Sequence, residues 1–225
     1  METVYVKIKD QPRLPTGNVT QYSRLLQPRH QHYVNPFLNS TDVIDWQHPA
    51  IVAQARILRA DLKDELVIAR RCFEWVRDEI KHSGDHKLAA VTCAASEVLR
   101  ESSGYCYAKS HLLAALLRAN GIATGLCYQR LSLDDKAQRF CLHGLNAVLL
   151  PGTGWYRIDA RGNRAGIDAQ FIPPDERLAF SPQLPGEADL PEIHPDPLPI
   201  VVQTLRAHTS ALTLGENLPD LPFAK

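Results

Sequence analysis

The sequence predicts an α+β fold in which several helices come before an antiparallel sheet, and three observations favour it. Apolar residues recur at helical spacing from about residue 51 to residue 80. A predicted helix over 106–119 is apolar around most of its circumference, which is typical of a buried helix. Three runs of strand type follow between residues 122 and 160, so a buried helix packed on a sheet is expected.

The N-terminal part is predicted to contain little regular structure before the first helix. Residues 1–9 alternate as a short edge strand does, and residues 10–40 show too little periodicity for any element, which predicts an irregular arm. The segment from Thr41 to Pro49 is expected to open the first helix. A second helix ends at the turn around Gly84, and its apolar stripe consists of Leu66, Ala69, Cys72, Phe73, Val76 and Ile80.

Turn residues separate the elements of the second half. A short helix over about 94–100 precedes the helix at 106–119, which Asn120-Gly121 ends. The predicted strands cover the ranges 122–133, 142–150 and 155–160. The sequence Pro151-Gly152-Thr153-Gly154 is the predicted turn between the last two strands.

Proline is frequent from about residue 172 onward, and one helix over 198–207 is predicted to interrupt this region. We expect the region to wrap the domain rather than to form a second core. The prediction therefore divides the chain into an N-terminal strand and irregular arm (1–45), a core (46–172) and a Pro-rich extension packed on the core (173–225).

Charge and hydropathy argue against two classes of partner. The chain has 25 basic and 25 acidic residues without a basic stripe, so a nucleic acid is not an expected partner. No apolar run approaches the roughly 20 residues that span a bilayer, so a membrane is not expected either. The N-terminal segment lacks the regions of a secretory signal, and five cysteines, an odd number, do not suggest a disulfide framework. We therefore expect a cytoplasmic location, where four cysteines act as small hydrophobes: Cys72, Cys93, Cys127 and Cys141.

Cys106 is the most informative residue, because it lies where a turn runs into the apolar helix. The unpaired N–H groups and the positive dipole end of a helix N-terminus favour a thiolate. His143 and Asp159 follow on two predicted strands. Cysteine, histidine and aspartate in this order are the groups that nucleophilic acyl transfer uses, with His143 as base and acid and Asp159 as the group that orients it. Each residue taken singly is more often structural, so the residues alone leave both interpretations open.

Strand parity gives a test of this triad. His143 and Asp159 are both odd-numbered and lie across a predicted hairpin, and side chains alternate between faces along a strand. They share a face only if the connecting loop has an odd length or a bulge shifts the register. We therefore predict an odd loop or a bulge, which Gly152 and Gly154 suit. The backbone N–H of Cys106 is a natural donor to an oxyanion, and the second donor is not identifiable from sequence.

Other candidate residues are interpreted more simply. His82 and His86 flank Asp85 at metal-ligand spacing, but the turn at Ser83-Gly84 favours solvent-exposed histidines. Cys141 would point the same way as His143, and packing is the favoured role for it. His111 lies well round the helix from Cys106 and is a poor base. Arg161 and Arg164 could bind an acidic group of a substrate, but exposed loop arginines are the favoured interpretation.

Five segments together resemble the transglutaminase-like superfamily in their order, spacing and local sequence. They are Ala94–Leu99, Gly104-Tyr105-Cys106, His111–Ile122, His143–Val148 and Gly154–Asp159. Phe73–Ile80 resembles the helix that precedes the core of that family, so the resemblance covers roughly residues 65–160. It implies a papain-like core, in which a cysteine-bearing helix packs on an antiparallel sheet that carries the histidine and the aspartate. The Pro-rich extension resembles one found in a bacterial subgroup.

This sequence departs from the family pattern beside two triad members. Tyr107-Ala108-Lys109 follow the cysteine, where the family often has a small residue and then a polar one. Leu145 stands where an aromatic residue is common after the histidine. The departures leave the triad intact and bear on substrate shape, since Tyr105 and Tyr107 would flank the nucleophile as substrate-binding residues.

The prediction from sequence is a cysteine-dependent enzyme that acts on amide or peptide bonds through a thioester at Cys106. Hydrolysis by a peptidase or amidase and acyl transfer to an amine both stay open, because they share the first half-reaction. The expected partner is a peptide, a protein or a small amide, with no cofactor and no metal, and the oligomeric state is not predicted. The alternative is a non-catalytic peptide-binding module that keeps the fold. A structural subunit of an assembly has no positive support in the sequence.

Overall fold

The computed structural model describes residues 5–7 and 35–222, and it confirms the α+β fold class. Within these ranges the chain forms six α-helices and an antiparallel sheet of four strands, besides smaller strand pairs. The helices are α1 (Pro49–Arg59), α2 (Glu65–Glu79), α3 (Ala95–Glu101), α4 (Cys106–Ala119), α5 (Pro199–Ala207) and α6 (Ala211–Glu216). The strands are β1 (Val6–Lys7), β2 (Lys81–His82), β3 (Ser103–Gly104), β4 (Thr124–Ser132), β5 (Phe140–Leu150), β6 (Gly154–Ile158), β7 (Gln170–Ile172), β8 (Asp175–Arg177), β9 (Ala188–Asp189) and β10 (Glu192–Ile193).

The N-terminal predictions fall largely outside the described residues. Of the strand expected over 1–9, the structure describes β1, which pairs antiparallel with β10. Of the arm expected over 10–40, it describes residues 35–40, where Asn35–Leu38 form a short 3-10 helix. The remaining parts of both predictions lie outside the described residues.

The first two helices begin and end at local signals. Helix α1 begins at the end of the segment predicted to open it, because His48 caps the helix through Nδ1 and Pro49 occupies its first turn, where proline is well tolerated. Asp64 caps α2 by accepting hydrogen bonds from the backbone of Leu66 and Val67. Helix α2 ends at Glu79, before the predicted turn, because the next residues form β2, which pairs in parallel with β3.

Helix α4 has the bounds that the sequence predicts, and its residues 106–118 are all buried. It contacts the three preceding helices and strands β4 and β5, so an apolar surface around most of its circumference is needed. Asn146 of β5 ties the helix to the sheet, since its Nδ2 donates to the carbonyl of Ser110 at 2.9 Å. A helix held on all sides keeps its first residue in a fixed place.

The sheet has the strand order β6-β5-β4-β9. Leu150 pairs with Gly154, so the loop between β5 and β6 has three residues, and Gly152 adopts a left-handed φ of 75° there. The odd loop length confirms the parity prediction. It puts His143 and Asp159 on one face of the sheet, where α4 begins.

The extension is more structured than the sequence predicts. Helix α5 matches the predicted helix, but α6 and the short strands β8 to β10 were missed, as was β7 just before the extension, since two or three residues leave no periodicity to detect. Val201, Leu205 and Leu214 of the extension are buried in the same core as α4. No helix within the described ranges is long and apolar enough to cross a bilayer.

Candidate active site

Cys106 is the first residue of α4, and 7% of it is exposed. Tyr105 precedes it in an extended conformation and provides no side-chain cap for the helix. The first turn contains no acidic residue, so the positive end of the helix dipole acts on the thiol without compensation from within the helix. The helix start thus provides both a thiol and backbone N–H groups that can face a ligand.

His143 lies on β5 beside this helix start, and Asp159 lies just beyond β6. The His143 Nε2 and Asp159 Oδ2 atoms are 2.7 Å apart, and both side chains are almost wholly buried. Cys106 lies close enough to His143 to raise the pKa of the imidazole. Because Nε2 is engaged with Asp159, Nδ1 is the ring nitrogen that is left for Cys106. The three predicted residues are therefore brought together at one place.

The electrostatics of these side chains favour an ion pair between His143 and Asp159. Burial alone would lower the pKa of His143, but Asp159 and Cys106, with their hydrogen bonds, outweigh burial and raise that pKa to about 10. Burial alone would raise the pKa of Asp159, but His143 and two backbone N–H groups hold it below its ordinary value. The site therefore stabilises a charged imidazole beside an ionised carboxylate.

The two backbone donors to Asp159 come from different parts of the chain. Arg161 N–H donates to Oδ1 at 3.0 Å, and Ala179 N–H donates to Oδ2 at 3.1 Å. The next residue, Phe180, packs its ring edge-on against His143, with the ring centres 4.9 Å apart. Sequence reasoning missed Ala179 and Phe180, since they lie in the extension and no local pattern marks them.

Gly144 explains how β5 and α4 approach so closely. A Cβ at this position would lie 2.9 Å from Cδ1 and 3.1 Å from Cα of Tyr107, the residue after the nucleophile. Contact with a backbone atom is not relieved by a rotamer change, so glycine is needed at this point of the strand.

We expect Gly144→Ala to move the N-terminus of α4 away from His143. The free energy of unfolding should fall by about 1–3 kcal/mol, as for an overpacked core, and alkylation of Cys106 should become slower. Urea denaturation and iodoacetamide labelling measure the two effects. Wild-type stability together with wild-type labelling would contradict the close approach.

A cleft of about 440 Å³ opens over Cys106 and His143. The core contributes Cys106 and His143 to its walls, and the extension contributes a second wall. The extension residues that line the cleft are Ala179, Phe180, Ser181, Gln183, Glu187 and Leu218. Cys106 is therefore reachable through an opening that both parts of the chain line.

Tyr105 and Tyr107, the predicted substrate-binding residues, both line this cleft. Tyr105 is 8% exposed, and its hydroxyl donates to the carbonyl of Ala211 at 2.7 Å. Tyr107 is 1% exposed, and its hydroxyl donates to the carbonyl of Leu142. The surface that these tyrosines offer to a ligand is small, because each hydroxyl is already engaged with the backbone.

The expectation of two solvent-exposed histidines was right for His86 and wrong for His82. The turn after His82 forms as predicted, but it folds the His82 ring into the wall of the cleft, where 10% of the side chain is exposed. Among the described residues, no cluster of side chains could hold a metal ion.

The expectation of exposed loop arginines was likewise wrong for Arg161. Its guanidinium is buried and binds Asp85 through two hydrogen bonds, of 2.6 and 2.9 Å. Arg164 is about half exposed and lies 3.5 Å from the same carboxylate. Asp85 thus neutralises the arginine nearest to the triad.

Three other buried polar residues have structural partners. Lys109 donates to the carbonyls of Arg77 and Ile80 at the end of α2, and burial lowers its pKa to about 7. His111 lies within 2.8 Å of the Cys93 carbonyl, away from the cleft. Cys141 lines the cleft, but burial raises its pKa to about 12, which favours the predicted packing role.

Residues 53–160 match the model of the transglutaminase-like superfamily. The matched segment contains the cysteine, the histidine and the aspartate described above. No curated protein matches the chain.

Among solved structures, similarity extends to a provisionally named cysteine protease from Cytophaga hutchinsonii, with 18% identity, a TM-score of 0.48, and coverage of 70% of this chain and 48% of that one. The periplasmic domain of TgpA from Pseudomonas aeruginosa is similar at 19% identity and a TM-score of 0.44, over 60% of this chain and 48% of that one. The chain thus spans about half the length of each structure.

Proposed function

We propose that this protein is a cysteine-dependent enzyme that acts on amide or related acyl bonds through a thioester at Cys106. The observation that supports the proposal most directly is that Cys106 and His143 line one cleft while Asp159 lies 2.7 Å from the His143 ring. The match of residues 53–160 to the superfamily model agrees with it. The substrate class is a peptide, a protein side chain or a small amide.

The proposed reaction follows from the order of the three groups. The Cys106 thiolate attacks the carbonyl carbon, and the carbonyl oxygen takes up the negative charge. The protonated His143 then gives its Nδ1 proton to the leaving amine as the carbon–nitrogen bond breaks, which leaves an acyl thioester. Water or an amine attacks the thioester, His143 takes the proton of the attacking group, and the thiolate is restored.

Asp159 keeps the imidazole in the tautomer that this reaction requires. Its Oδ2 holds the Nε2 proton, so that Nδ1 faces the sulfur, and its charge stabilises the imidazolium. Hydrolysis is the simpler outcome of the second step because water needs no site of its own. Transfer to an amine would require the cleft to bind that amine in place of water.

The pH dependence of iodoacetamide labelling tests the proposal. We expect Cys106 to be alkylated at pH 6 or below, since a neighbouring imidazolium favours the thiolate. The four other cysteines are internal controls in the same sample, because burial raises the pKa of Cys93 to about 11 and that of Cys72, Cys127 and Cys141 to about 12. Mass spectrometry of the native protein reports the label at each site.

His143→Ala should abolish the labelling of Cys106 at low pH, because it removes the cation that stabilises the thiolate. The exposed His86, replaced by alanine, is the matched control and should leave the labelling unchanged. Labelling of wild-type Cys106 only near pH 8.5, where an ordinary thiol reacts, would favour the peptide-binding module instead.

A further inference from the structure

We propose that His82 is a further catalytic residue, whose Nε2–H donates a hydrogen bond to the oxyanion that forms when Cys106 attacks an acyl carbon. The inference rests on the proposed function. A tetrahedral oxyanion is best stabilised by fixed donors that converge on the developing charge. The backbone N–H of Cys106 is one such donor, and His82, which lines the same cleft, supplies a second.

The strand pairing places His82 beside the nucleophile. His82 of β2 pairs in parallel with Gly104 of β3, two residues before Cys106. Its ring meets the ring of Tyr105 at 70°, with the ring centres 5.3 Å apart, and it lines the same cleft as Cys106 and His143. The side chain is 10% exposed, so its position is fixed and yet open to a ligand in the cleft.

The hydrogen bonds around His82 determine which nitrogen carries the proton. The backbone N–H of Asp85 donates to Nδ1 over 3.3 Å, so Nδ1 is an acceptor. The carboxylate of Asp85 lies farther away, at 3.7 Å, and is held by both terminal nitrogens of Arg161. A neutral ring with an acceptor at Nδ1 carries its proton at Nε2.

The surroundings keep this ring neutral. Burial lowers the pKa of His82 to about 3, and the nearby cations Arg161, Lys109 and His143 act in the same direction, against the opposing effect of Asp85. A neutral donor does not compete with His143 for the proton of the reaction. The ring therefore stays a hydrogen-bond donor at every pH at which Cys106 and His143 would react.

The donor atom has no partner within the protein. In the part of the chain that the structure describes, Nδ1 has its donor in Asp85, and Nε2 has no hydrogen-bond partner. The ring lines the cleft and 10% of the side chain is exposed, so the Nε2–H group is available to a ligand there. An oxyanion in the cleft would satisfy it.

Two reagents that react with the sulfur of Cys106 distinguish an oxyanion donor from a residue that only positions the site. p-Nitrophenyl acetate acylates a thiolate: the sulfur–carbon bond forms, the carbonyl oxygen becomes an oxyanion, and its collapse expels p-nitrophenolate. Iodoacetamide alkylates the same thiolate by displacement of iodide from a saturated carbon, so no oxyanion forms. Only acylation should depend on His82. Acylation of Cys106 is measured as the p-nitrophenolate release of the wild type minus that of Cys106→Ala.

His82→Phe keeps a ring of similar size and removes the donor. We expect it to lower the rate constant of acylation by about 10²–10³-fold, as the loss of one oxyanion donor does, and to leave alkylation at its wild-type rate. His82→Gln, which restores an N–H donor, should recover much of the acylation. His86→Phe, on the exposed side of the same turn, is the matched control and should behave as the wild type.

The outcomes distinguish this inference from the proposed function. Wild-type acylation in His82→Phe would overturn it, and so would a parallel loss of alkylation, which would mean that His82 only positions the site. If wild-type Cys106 is alkylated at low pH but never acylated, Cys106 is an activated nucleophile and the role of His82 as an oxyanion donor is contradicted. If it shows neither reaction, the proposed function itself fails.

Discussion

Replacing Asp159 with asparagine is expected to lower the rate of Cys106 acylation by about 10³–10⁴-fold, the scale of loss that follows when the orienting carboxylate of a triad becomes an amide. The carboxylate accepts from His143 Nε2 and from the backbone of Arg161 and Ala179. An asparagine that keeps the backbone bonds directs its amide group at His143 and enforces the wrong tautomer. Labelling of Cys106 at pH 6 should fall at the same time.

Asp159→Asn should also lose a part of the free energy of unfolding that depends on pH. Asp159 has a lowered pKa in the fold, so its contribution is present above its ordinary value of 3.8 and is lost as the pH falls through the folded value. His143 has a raised pKa, so its contribution is complete below its ordinary value of 6.5 and is lost as the pH rises through about 10. The stability difference between wild type and Asp159→Asn should therefore be largest between these two ordinary values and smaller at alkaline pH.

Chemical denaturation at several pH values measures this difference. Asp175→Asn, at an exposed position of β8, is the matched control and should show no such pH dependence. A stability difference that grows toward pH 10 would contradict the assigned charges of His143 and Asp159.

Replacing Arg118 with methionine is expected to lower the free energy of unfolding by about 3–5 kcal/mol, because the carbonyl groups of the buried Thr124 and Pro195 and that of Asn39 would lose their donor together. Arg118, at the end of α4, is 2% exposed. Its guanidinium donates to the carbonyls of Thr124 at 2.8 and 3.1 Å, of Asn39 at 2.7 Å, and of Pro195. One side chain thus joins the helix end, the sheet, the segment before α1 and the extension.

Urea denaturation measures the loss, and Arg100→Met is the matched control. Arg100 also lies in the last turn of a helix, but 69% of its side chain is exposed and its partner is the neighbouring Glu101. Its replacement should change the stability by only a few tenths of a kcal/mol. Equal effects of the two replacements would contradict the role given to the buried carbonyl network.

Local signals made the nucleophile and its helix predictable. The bounds of α4 follow from a turn on each side and an apolar surface all round, and both can be read along one stretch of chain. The common face of His143 and Asp159 follows from the parity of a short loop. These are properties of neighbouring residues, so they could be inferred before any tertiary structure was known.

The surroundings of the triad could not be inferred in this way, because they depend on contacts between distant segments. Phe180 reaches His143 from the extension, and Arg161 is buried only because Asp85 meets it. The burial of His82 depends on the pairing of β2 with β3, which are too short to show a pattern. Polar residues beside a turn are usually exposed, so local reasoning gave the wrong environment for both His82 and Arg161.

The two walls of the cleft come from different stretches of the sequence, and this affects how the protein can evolve. The proposed nucleophile and its base lie in one stretch of the sequence, whereas Ser181, Gln183 and Leu218 on the facing wall lie in another. Mutation of the facing wall alters what can enter without touching the groups that would react. Ligand selectivity and reactivity can therefore diverge separately, by natural drift or in a directed-evolution library confined to these three positions.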